Sequence, residues 1–112
     1  MNLDIRPVIT PSELEDIKEL FISYGEWRNL DAALGDFESE LANLPGKYEI
    51  SQHGCLLIAY WKENPAGCIA YQSLNSEICE MKRLWVKSEF QGNKIGYELV
   101  KQIIKSGKNA GY

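Results

Sequence analysis

Three strand-length apolar segments follow one another in the middle of the chain, separated only by short turns. They span residues 55–61 (CLLIAYW), 66–74 (AGCIAYQSL) and 78–86 (ICEMKRLWV), and the turns between them read KENP and NSE. Strands joined by so few residues run antiparallel, because a parallel pair needs a crossover of a dozen residues or more. The segments therefore predict a three-stranded antiparallel meander.

Helical patterns flank this meander on both sides. A short strand at residues 3–9 leads into TPSE, in which Thr10, Pro11 and Glu13 have the spacing of a capping box at a helix start. A second amphipathic pattern stops at the breaker pair Pro45-Gly46, and a third begins at Lys94. The order strand, two helices, meander, helix predicts one α+β domain over residues 1–112, with helices packed on a sheet.

Charge and cysteine content argue against several classes of protein. The formal net charge of −4 disfavours a broad nucleic-acid surface, while the lysines of the last third suit a small anionic ligand. The three cysteines match no zinc spacing, so we expect no metal and reduced thiols. No apolar run is long enough to cross a bilayer, so we expect a cytoplasmic protein without membrane contact.

The junction VKSEFQGNKIGYEL at residues 86–99 carries the most specific signal. A strand ends, Gly92 and Gly96 flank a polar loop, and a helix begins. A helix start presents unpaired N–H groups and the positive end of a dipole, which together bind anions. A structural use of the glycines is equally favoured on the pattern alone, with Gly92 in a turn and Gly96 in helix–sheet packing.

Residues 79–112 resemble the acetyl-CoA-binding core of the GNAT superfamily of N-acyltransferases. The likeness rests on the triplet LWV at 84–86 and on QGNKIG at 91–96, where the family has [Arg/Gln]-x-x-Gly-x-[Gly/Ala]. It extends upstream to DFESELANLPGKY at 36–48, a stretch similar to one branch of small bacterial members. The resemblance implies a mixed sheet, acetyl-CoA as co-substrate, and acetyl transfer to a primary amine of a small molecule or peptide.

The resemblance also implies roles for individual residues. The Leu84 N–H would polarise the thioester carbonyl, and Glu80 would act as base, although an ion pair of Glu80 with Lys82 or Arg83 is as well supported. Strand backbone would bind the pantetheine arm and loop N–H groups the pyrophosphate. The implied cofactor-binding residues are Leu84, Trp85, Val86, Gln91, Gly92, Asn93, Lys94, Ile95, Gly96 and Tyr97.

Lys94 departs from the family pattern, because it stands where a central glycine is usual. If the position requires a positive φ, a lysine there costs about 1 kcal/mol or more. If the position is helical, lysine fits and its ammonium attracts phosphate. We expect the helical conformation.

Two further expectations concern the acceptor and the end of the fold. Tyr24, Trp27 and Arg28 lie where members of this family often shape the acceptor pocket, with core packing equally favoured for the aromatic rings. The family fold usually continues with a fifth strand, so we expect its C-terminal part to be absent and a homo-oligomer to cover the open sheet edge. The alternative to an active enzyme is an inactive CoA-binding or structural module.

Overall fold

The computed structural model describes residues 2–28 and 35–112, and at residues 35 and 36 it describes the backbone alone. Its strands are β1 (Leu3–Pro7), β2 (Cys55–Trp61), β3 (Asn64–Ser73) and β4 (Cys79–Val86), and its helices are α1 (Pro11–Trp27), α2 (Gly35–Ala42) and α3 (Ile95–Asn109). The order of elements confirms the α+β fold class. The capping box is also confirmed, because Thr10 accepts from the Glu13 N–H and Glu13 accepts from the Thr10 N–H.

The four described strands form one sheet in the order β1-β2-β3-β4, and each neighbouring pair is antiparallel. The mixed sheet implied by the resemblance is therefore not what these residues form. β4 is the last strand in the order, so one of its edges has no strand partner within the described parts of the chain.

The turn between β2 and β3 is shorter than the sequence predicted. Trp61 pairs with Asn64, which leaves Lys62 and Glu63 as the two turn residues, both with positive φ (48° and 71°). A two-residue turn of this handedness matches the right-handed twist of the strands that it joins. The prediction of a four-residue KENP turn was wrong because Asn64 and Pro65 already belong to β3.

Helices pack on both faces of the sheet. From α1, Ile17, Leu20 and Phe21 are fully buried against one face, where they meet Cys68 and Ala70 of β3. On the opposite face α3 buries Ile95, Leu99 and Ile103 against the alternate residues of the same strand, Ile69 and Tyr71. Burial on both faces explains why β3 reads as a continuous apolar run rather than an alternating one.

The cysteines behave as small apolar residues. All three are free thiols; Cys68 is buried, whereas Cys55 and Cys79 are half-buried. Burial raises the pKa of the Cys55 thiol and of the Cys68 thiol, which disfavours the reactive thiolate at both positions.

Residues 2–28 and 35–112 contain neither a candidate membrane span nor a candidate metal centre. None of the helices there is both long and apolar enough to cross a bilayer. The same residues contain no group of three or more His, Cys, Asp or Glu side chains placed to hold a metal ion.

Candidate functional site

A β-bulge interrupts β4 in the middle of the strand. Cys68 of β3 pairs with Trp85 and Ala70 pairs with Lys82, so a single β3 residue faces both Arg83 and Leu84. Arg83 has a φ of 62°, in the left-handed region where glycine is usual at such a bulge. A non-glycine residue in this conformation costs about 1–2 kcal/mol, which other contacts have to offset.

Several contacts converge on Arg83. Its Nε and Nη2 atoms donate hydrogen bonds to the two carboxylate oxygens of Glu40 at 2.7 and 2.8 Å. Its guanidinium lies 5.4 Å from the ring centre of Tyr24 and 5.6 Å from that of Phe37. Its carbonyl accepts a hydrogen bond from the Cys68 thiol at 3.3 Å. Strained residues persist where their surroundings over-determine them, and Arg83 fits that description.

The Glu40–Arg83 pair is mostly removed from solvent, with side-chain exposures of 7% and 14%. Burial alone would raise the pKa of the Glu40 carboxyl, but the hydrogen bonds and charge of Arg83, helped by Lys47, hold that pKa below its usual value. Burial opposes the charge on Arg83, yet Glu40 raises the arginine pKa above its ordinary range. Glu40 is therefore a stable ion-pair partner and a poor acceptor for a substrate proton.

The hydroxyl of Tyr48 lies in the same region and is the one buried side-chain polar atom without a hydrogen-bond partner among the described residues. Burial, followed by the charge of Glu40, raises the pKa of this phenol. Tyr48 therefore stays protonated and contributes its ring to the core, where it meets Phe21 edge to face.

Glu80 lies on β4 but is not beside Leu84. Its carboxylate accepts a hydrogen bond from the Gln72 side chain across the strand pair at 2.8 Å, and Glu80 itself is exposed. The ion pair that competed with a catalytic role is wrong, because Arg83 binds Glu40 and no described cation pairs with Glu80. Leu84 lies four positions along the strand from Glu80, a span of roughly 13 Å.

Aromatic residues form the α1 side of the strand that follows the bulge. The Trp85 ring lies 5.1 Å from that of Trp27, and its indole N–H donates to the Ser23 hydroxyl at 3.0 Å. Tyr24 is buried in this cluster, Arg28 is exposed, and Trp27 is 62% exposed. Core packing thus accounts for Tyr24, while Trp27 presents an aromatic surface. Trp85 turns its side chain to α1, so its backbone is what remains available at the strand edge.

The loop between β4 and α3 turns sharply into the helix. Gly92 has a φ of 92°, and Lys94, the N-cap residue of α3, has φ 62° and ψ 20°. The expectation that Lys94 would be helical is therefore wrong, since the turn needs a left-handed residue at this point. Side chains on either side of Gly92 hold the loop, with Gln91 donating to the Val86 carbonyl and Asn93 to the Phe90 carbonyl, both at 3.0 Å.

The backbone N–H groups at the start of α3 are left open. Lys94 offers no side-chain cap, and the first helical hydrogen bond to the N-cap runs from the Glu98 N–H to the Lys94 carbonyl at 3.0 Å. Across the described stretches, no acceptor receives a hydrogen bond from the N–H groups of residues 92–97. Six adjacent donors at the positive end of a helix dipole form a suitable seat for an anionic group.

The two loop glycines differ in what they tolerate. A Cβ atom on Gly92 would meet nothing within 4 Å, so glycine is favoured here by its positive φ and not by a lack of space. A Cβ atom on Gly96 would come no closer than 3.7 Å to Val86, which is an ordinary contact. Helix–sheet packing therefore does not require Gly96, although glycine in a helix costs about 0.5–1 kcal/mol relative to alanine.

The loop and the bulge share one border of the molecule. The loop starts directly after Val86, and the unpartnered edge of β4 continues from it to Leu84, which is 41% exposed. Tyr97, in the first turn of α3, is 63% exposed. An extended ligand with an anionic group over α3 could thus lie along β4 and reach the bulge.

Sequence reasoning found the loop and missed the anchor of the bulge. Glu40 and Arg83 are 43 residues apart, and an arginine inside a strand pattern gives no sign of a positive φ. The only available signal was the pair of adjacent cations, Lys82 and Arg83, in the middle of a segment that otherwise reads as a strand.

Comparison with known proteins agrees with this geometry. The model of the acetyltransferase (GNAT) family matches residues 14–112. A protein from Schizosaccharomyces pombe named as an uncharacterized N-acetyltransferase is 37% identical, over 99% of this chain and 69% of its own length. Another of the same description from Dictyostelium discoideum is 30% identical, over 89% of this chain and 74% of its own length. The chain belongs to the GNAT acetyltransferase family.

Solved structures support the same fold. A GNAT-family acetyltransferase from Staphylococcus aureus superposes with a TM-score of 0.78 at 21% identity, over 96% of this chain and 67% of that one. The PaiA N-acetyltransferase from Thermoplasma acidophilum, determined in complex with coenzyme A, superposes with a TM-score of 0.67 at 22% identity, over 99% of this chain and 75% of that one.

Proposed function

We propose that this chain binds acetyl-CoA and transfers the acetyl group to a primary amine. The observation that carries the proposal is a row of six N–H groups at residues 92–97 that have no partner among the described residues, beside the edge of β4 that has no described strand partner. Support comes from similar structures that hold coenzyme A or acetyl-CoA, in the proteins from Thermoplasma acidophilum and Elizabethkingia anophelis. The acceptor is an amine of a small molecule or a peptide.

The loop is the proposed seat of the pyrophosphate. Backbone N–H groups from Gly92 to Gly96 donate to the phosphate oxygens, and the dipole of α3 favours the phosphate charge. The Gln91 N–H already donates to the Ser88 carbonyl at 3.3 Å, so Gln91 contributes by holding the loop. The exposed ammonium of Lys94 adds long-range attraction for the same anion, and Tyr97 borders it. The absent Cβ at Gly96 lets the backbone approach the phosphates closely, which explains a glycine that packing does not require.

The free edge of β4 is the proposed seat of the pantetheine arm. Leu84, Trp85 and Val86 present backbone at this edge, and an extended amide-bearing arm can hydrogen-bond there as an added strand does. This path leads from the loop to the bulge, where a surplus residue leaves backbone groups outside the regular ladder. The Leu84 N–H is then the donor that polarises the thioester carbonyl.

Acetyl transfer itself needs a neutral amine placed in line with that carbonyl. The amine nitrogen bonds to the carbonyl carbon, the carbon–sulfur bond breaks, and the proton lost by the nitrogen ends on the CoA thiolate or in water. Glu80 is the proposed base on β4. Because it lies roughly 13 Å along the strand from Leu84, it would receive the proton through water rather than directly.

One observation favours the alternative of a CoA-binding module without turnover. The Glu80 carboxylate is already hydrogen-bonded to Gln72 and stands apart from the bulge. If no water chain joins Glu80 to the acceptor amine, the chain would hold acetyl-CoA without transferring its acetyl group.

Titration calorimetry followed by a turnover assay separates these functions. We expect acetyl-CoA to bind, and CoA thiol to be released when an amine from a panel of small amines and lysine peptides is added. Binding without thiol release for every acceptor would select the inactive module. Absence of binding would contradict both, and would leave the alternative of a structural module.

Four expectations from the sequence stay predictions: a single domain over residues 1–112, a bacterial branch, a cytoplasmic location, and a homo-oligomer that covers β4. The two relatives named above are eukaryotic. Light scattering coupled to size-exclusion chromatography tests the oligomer, and a monodisperse monomer would contradict it.

A further inference from the structure

The β4 bulge is fixed by a group from a distant part of the chain. Glu40 of α2 accepts two parallel hydrogen bonds from the Arg83 guanidinium, at 2.7 and 2.8 Å, in the bidentate arrangement that is the most directional contact between these groups. Both bonds together fix the plane and position of the guanidinium, and the Cys68 thiol holds the Arg83 backbone itself through its hydrogen bond to the carbonyl at 3.3 Å.

The bulge needs such an anchor because a simpler pairing competes with it. An unbulged β4 would let Arg83 adopt ordinary strand geometry and would shift the register of the strand by one residue. A shift of one residue turns every following side chain to the other face of the sheet and moves every backbone N–H. The position of the Leu84 N–H therefore depends on the conformation of Arg83.

We propose that Glu40 is a positioning residue, which acts through Arg83 to fix the β4 bulge and so aims the Leu84 N–H at the thioester carbonyl. The identity of that carbonyl rests on the proposed function; the control of the bulge does not. Glu40 itself need not touch acetyl-CoA or the acceptor, since both of its oxygens are occupied by Arg83 and one of them by Lys47 as well.

Lys47 provides a matched control. Its Nζ atom lies 3.3 Å from a Glu40 oxygen, and its side chain is 44% exposed. Lys47→Met removes one of the two cations that pair with Glu40 but leaves the arginine fork complete. Glu40→Gln keeps the shape of the side chain and removes one of its two acceptor oxygens. A double change, Glu40→Leu with Arg83→Met, removes the pair without leaving a buried charge, which guards against misfolding.

The experiment compares these four proteins by NMR and by turnover. In the free proteins, the carbon shifts of residue 83 (arginine, or methionine in the double variant) report its backbone conformation; we expect them to leave the left-handed range in both Glu40 variants and to stay in that range in the Lys47 variant. On titration, the Leu84 amide should respond to acetyl-CoA more than to CoA in wild type and in Lys47→Met, and this difference should vanish in the Glu40 variants. Loop amides at residues 92–97 should still report binding in all four proteins.

Turnover gives the second readout. We expect kcat to fall about 100-fold in the Glu40 variants through misplacement of the carbonyl donor, while the acetyl-CoA affinity changes less than about threefold. A general loss of structure would instead abolish the loop response. Unchanged Arg83 shifts and kcat within twofold of wild type in a folded Glu40 variant would overturn the proposal. If the loop amides ignore acetyl-CoA even in wild type, the proposed function fails, and the free-protein shifts still decide for or against the anchor.

Discussion

Arg83 in the β4 bulge and Lys94 before α3 adopt the same left-handed φ of 62° in very different surroundings. The arginine is held by Glu40, by the Cys68 thiol and by two aromatic rings. The lysine is exposed, and within the described parts of the chain its side chain makes no ion pair or hydrogen bond. The protein thus completes one strained turn with its own groups and leaves the other open, as an anion site would require.

The energies of the two turns differ accordingly. Each left-handed residue costs about 1–2 kcal/mol. A hydrogen bond to a charged group contributes about 1.5–3 kcal/mol, so the fork to Glu40 can offset the cost at Arg83. Lys94 has no such compensation beyond the loop itself. We therefore expect the bulge to be ordered in the free protein and the loop to gain stability when its N–H groups are occupied.

The largest expected effect concerns the turn at residues 92–97 before α3, whose N–H groups are open. Gly92→Asp should weaken acetyl-CoA binding on the order of 1,000-fold, or ~4 kcal/mol, because it places a carboxylate against the pyrophosphate site. Calorimetric titration measures the loss.

Gly111→Asp is the matched control for that change. Gly111 also has a positive φ, 99°, and open space around its Cβ position, but it lies beyond the other end of α3. We expect its affinity for acetyl-CoA to stay within twofold of wild type. Equal losses in both variants would contradict a phosphate site at residues 92–97.

The next effect concerns the β4 bulge, where Glu40 binds Arg83. Glu40→Gln should lower the free energy of unfolding by about 3 kcal/mol, because it leaves the buried Arg83 charge without its partner. Lys47→Met should change it by about 0.5 kcal/mol or less, since the Lys47 side chain is 44% exposed and Glu40 keeps both of its hydrogen bonds from Arg83. Urea titration measures both. Similar values for the two variants would show that the arginine fork is not what stabilises this region.

Acid tests the same pair in the unmodified protein. The pKa values of Glu40 and Glu13 are both lowered in the fold, by Arg83 at the first and by backbone hydrogen bonds to Thr10 and Ile9 at the second. Their stabilising contribution is therefore complete above the unfolded carboxyl pKa of about 4.3 and is lost as pH falls through the folded values. We expect unfolding titrations to show stability declining below about pH 5, with a shallower decline in Glu40→Gln.

A smaller effect should separate ligand from packing at Gly96. Gly96→Ala should raise the free energy of unfolding by about 0.5–1 kcal/mol, because alanine favours a helix and its Cβ would meet only Val86 at an ordinary distance. The same change should weaken acetyl-CoA binding about tenfold by crowding the phosphates. A variant that is more stable and binds normally would show that Gly96 does not face the ligand.

The last prediction compares the two left-handed residues directly, and its Lys94 change is among the smallest effects expected. Lys94→Gly should shift the free energy of unfolding by about 1 kcal/mol or less, in the stabilising direction, because it only relieves the backbone. Arg83→Gly relieves the same φ but leaves Glu40 buried without its fork, so it should destabilise by about 3 kcal/mol. We expect urea titrations to show changes in the free energy of unfolding of opposite sign for the two variants. Changes of the same sign would contradict the inference that only Arg83 is held by other groups of the protein.

Local sequence signals were enough to predict most of the fold. The capping box at Thr10, the breaker at Pro45-Gly46 and the alternating or continuous apolar runs all act over a few residues, so they could be read directly. The Lys62–Glu63 turn was missed because neither residue is a usual choice for a positive φ.

The site was predictable only where it is local. The loop glycines lie within one short segment: Gly92 is in the predicted turn, and Gly96 is in the first turn of α3. The conformation of Lys94 was misjudged because a lysine carries no mark of a left-handed turn. The Glu40–Arg83 pair joins α2 to β4 across 43 residues, and the partner first proposed for Glu80 was already engaged there. Contacts of that range follow from the packed fold, not from neighbouring residues.

The surplus residue in β4 also sets the parity of the strand. Lys82 lies opposite Ala70 and Trp85 lies opposite Cys68, so both face the α1 side although three positions separate them. A regular strand would send residues at that odd spacing to opposite sides. Closing the bulge with all residues kept would shift Trp85 by one position and swing its indole away from Ser23 toward α3, so the surplus residue and the bulge that accommodates it have to be kept together.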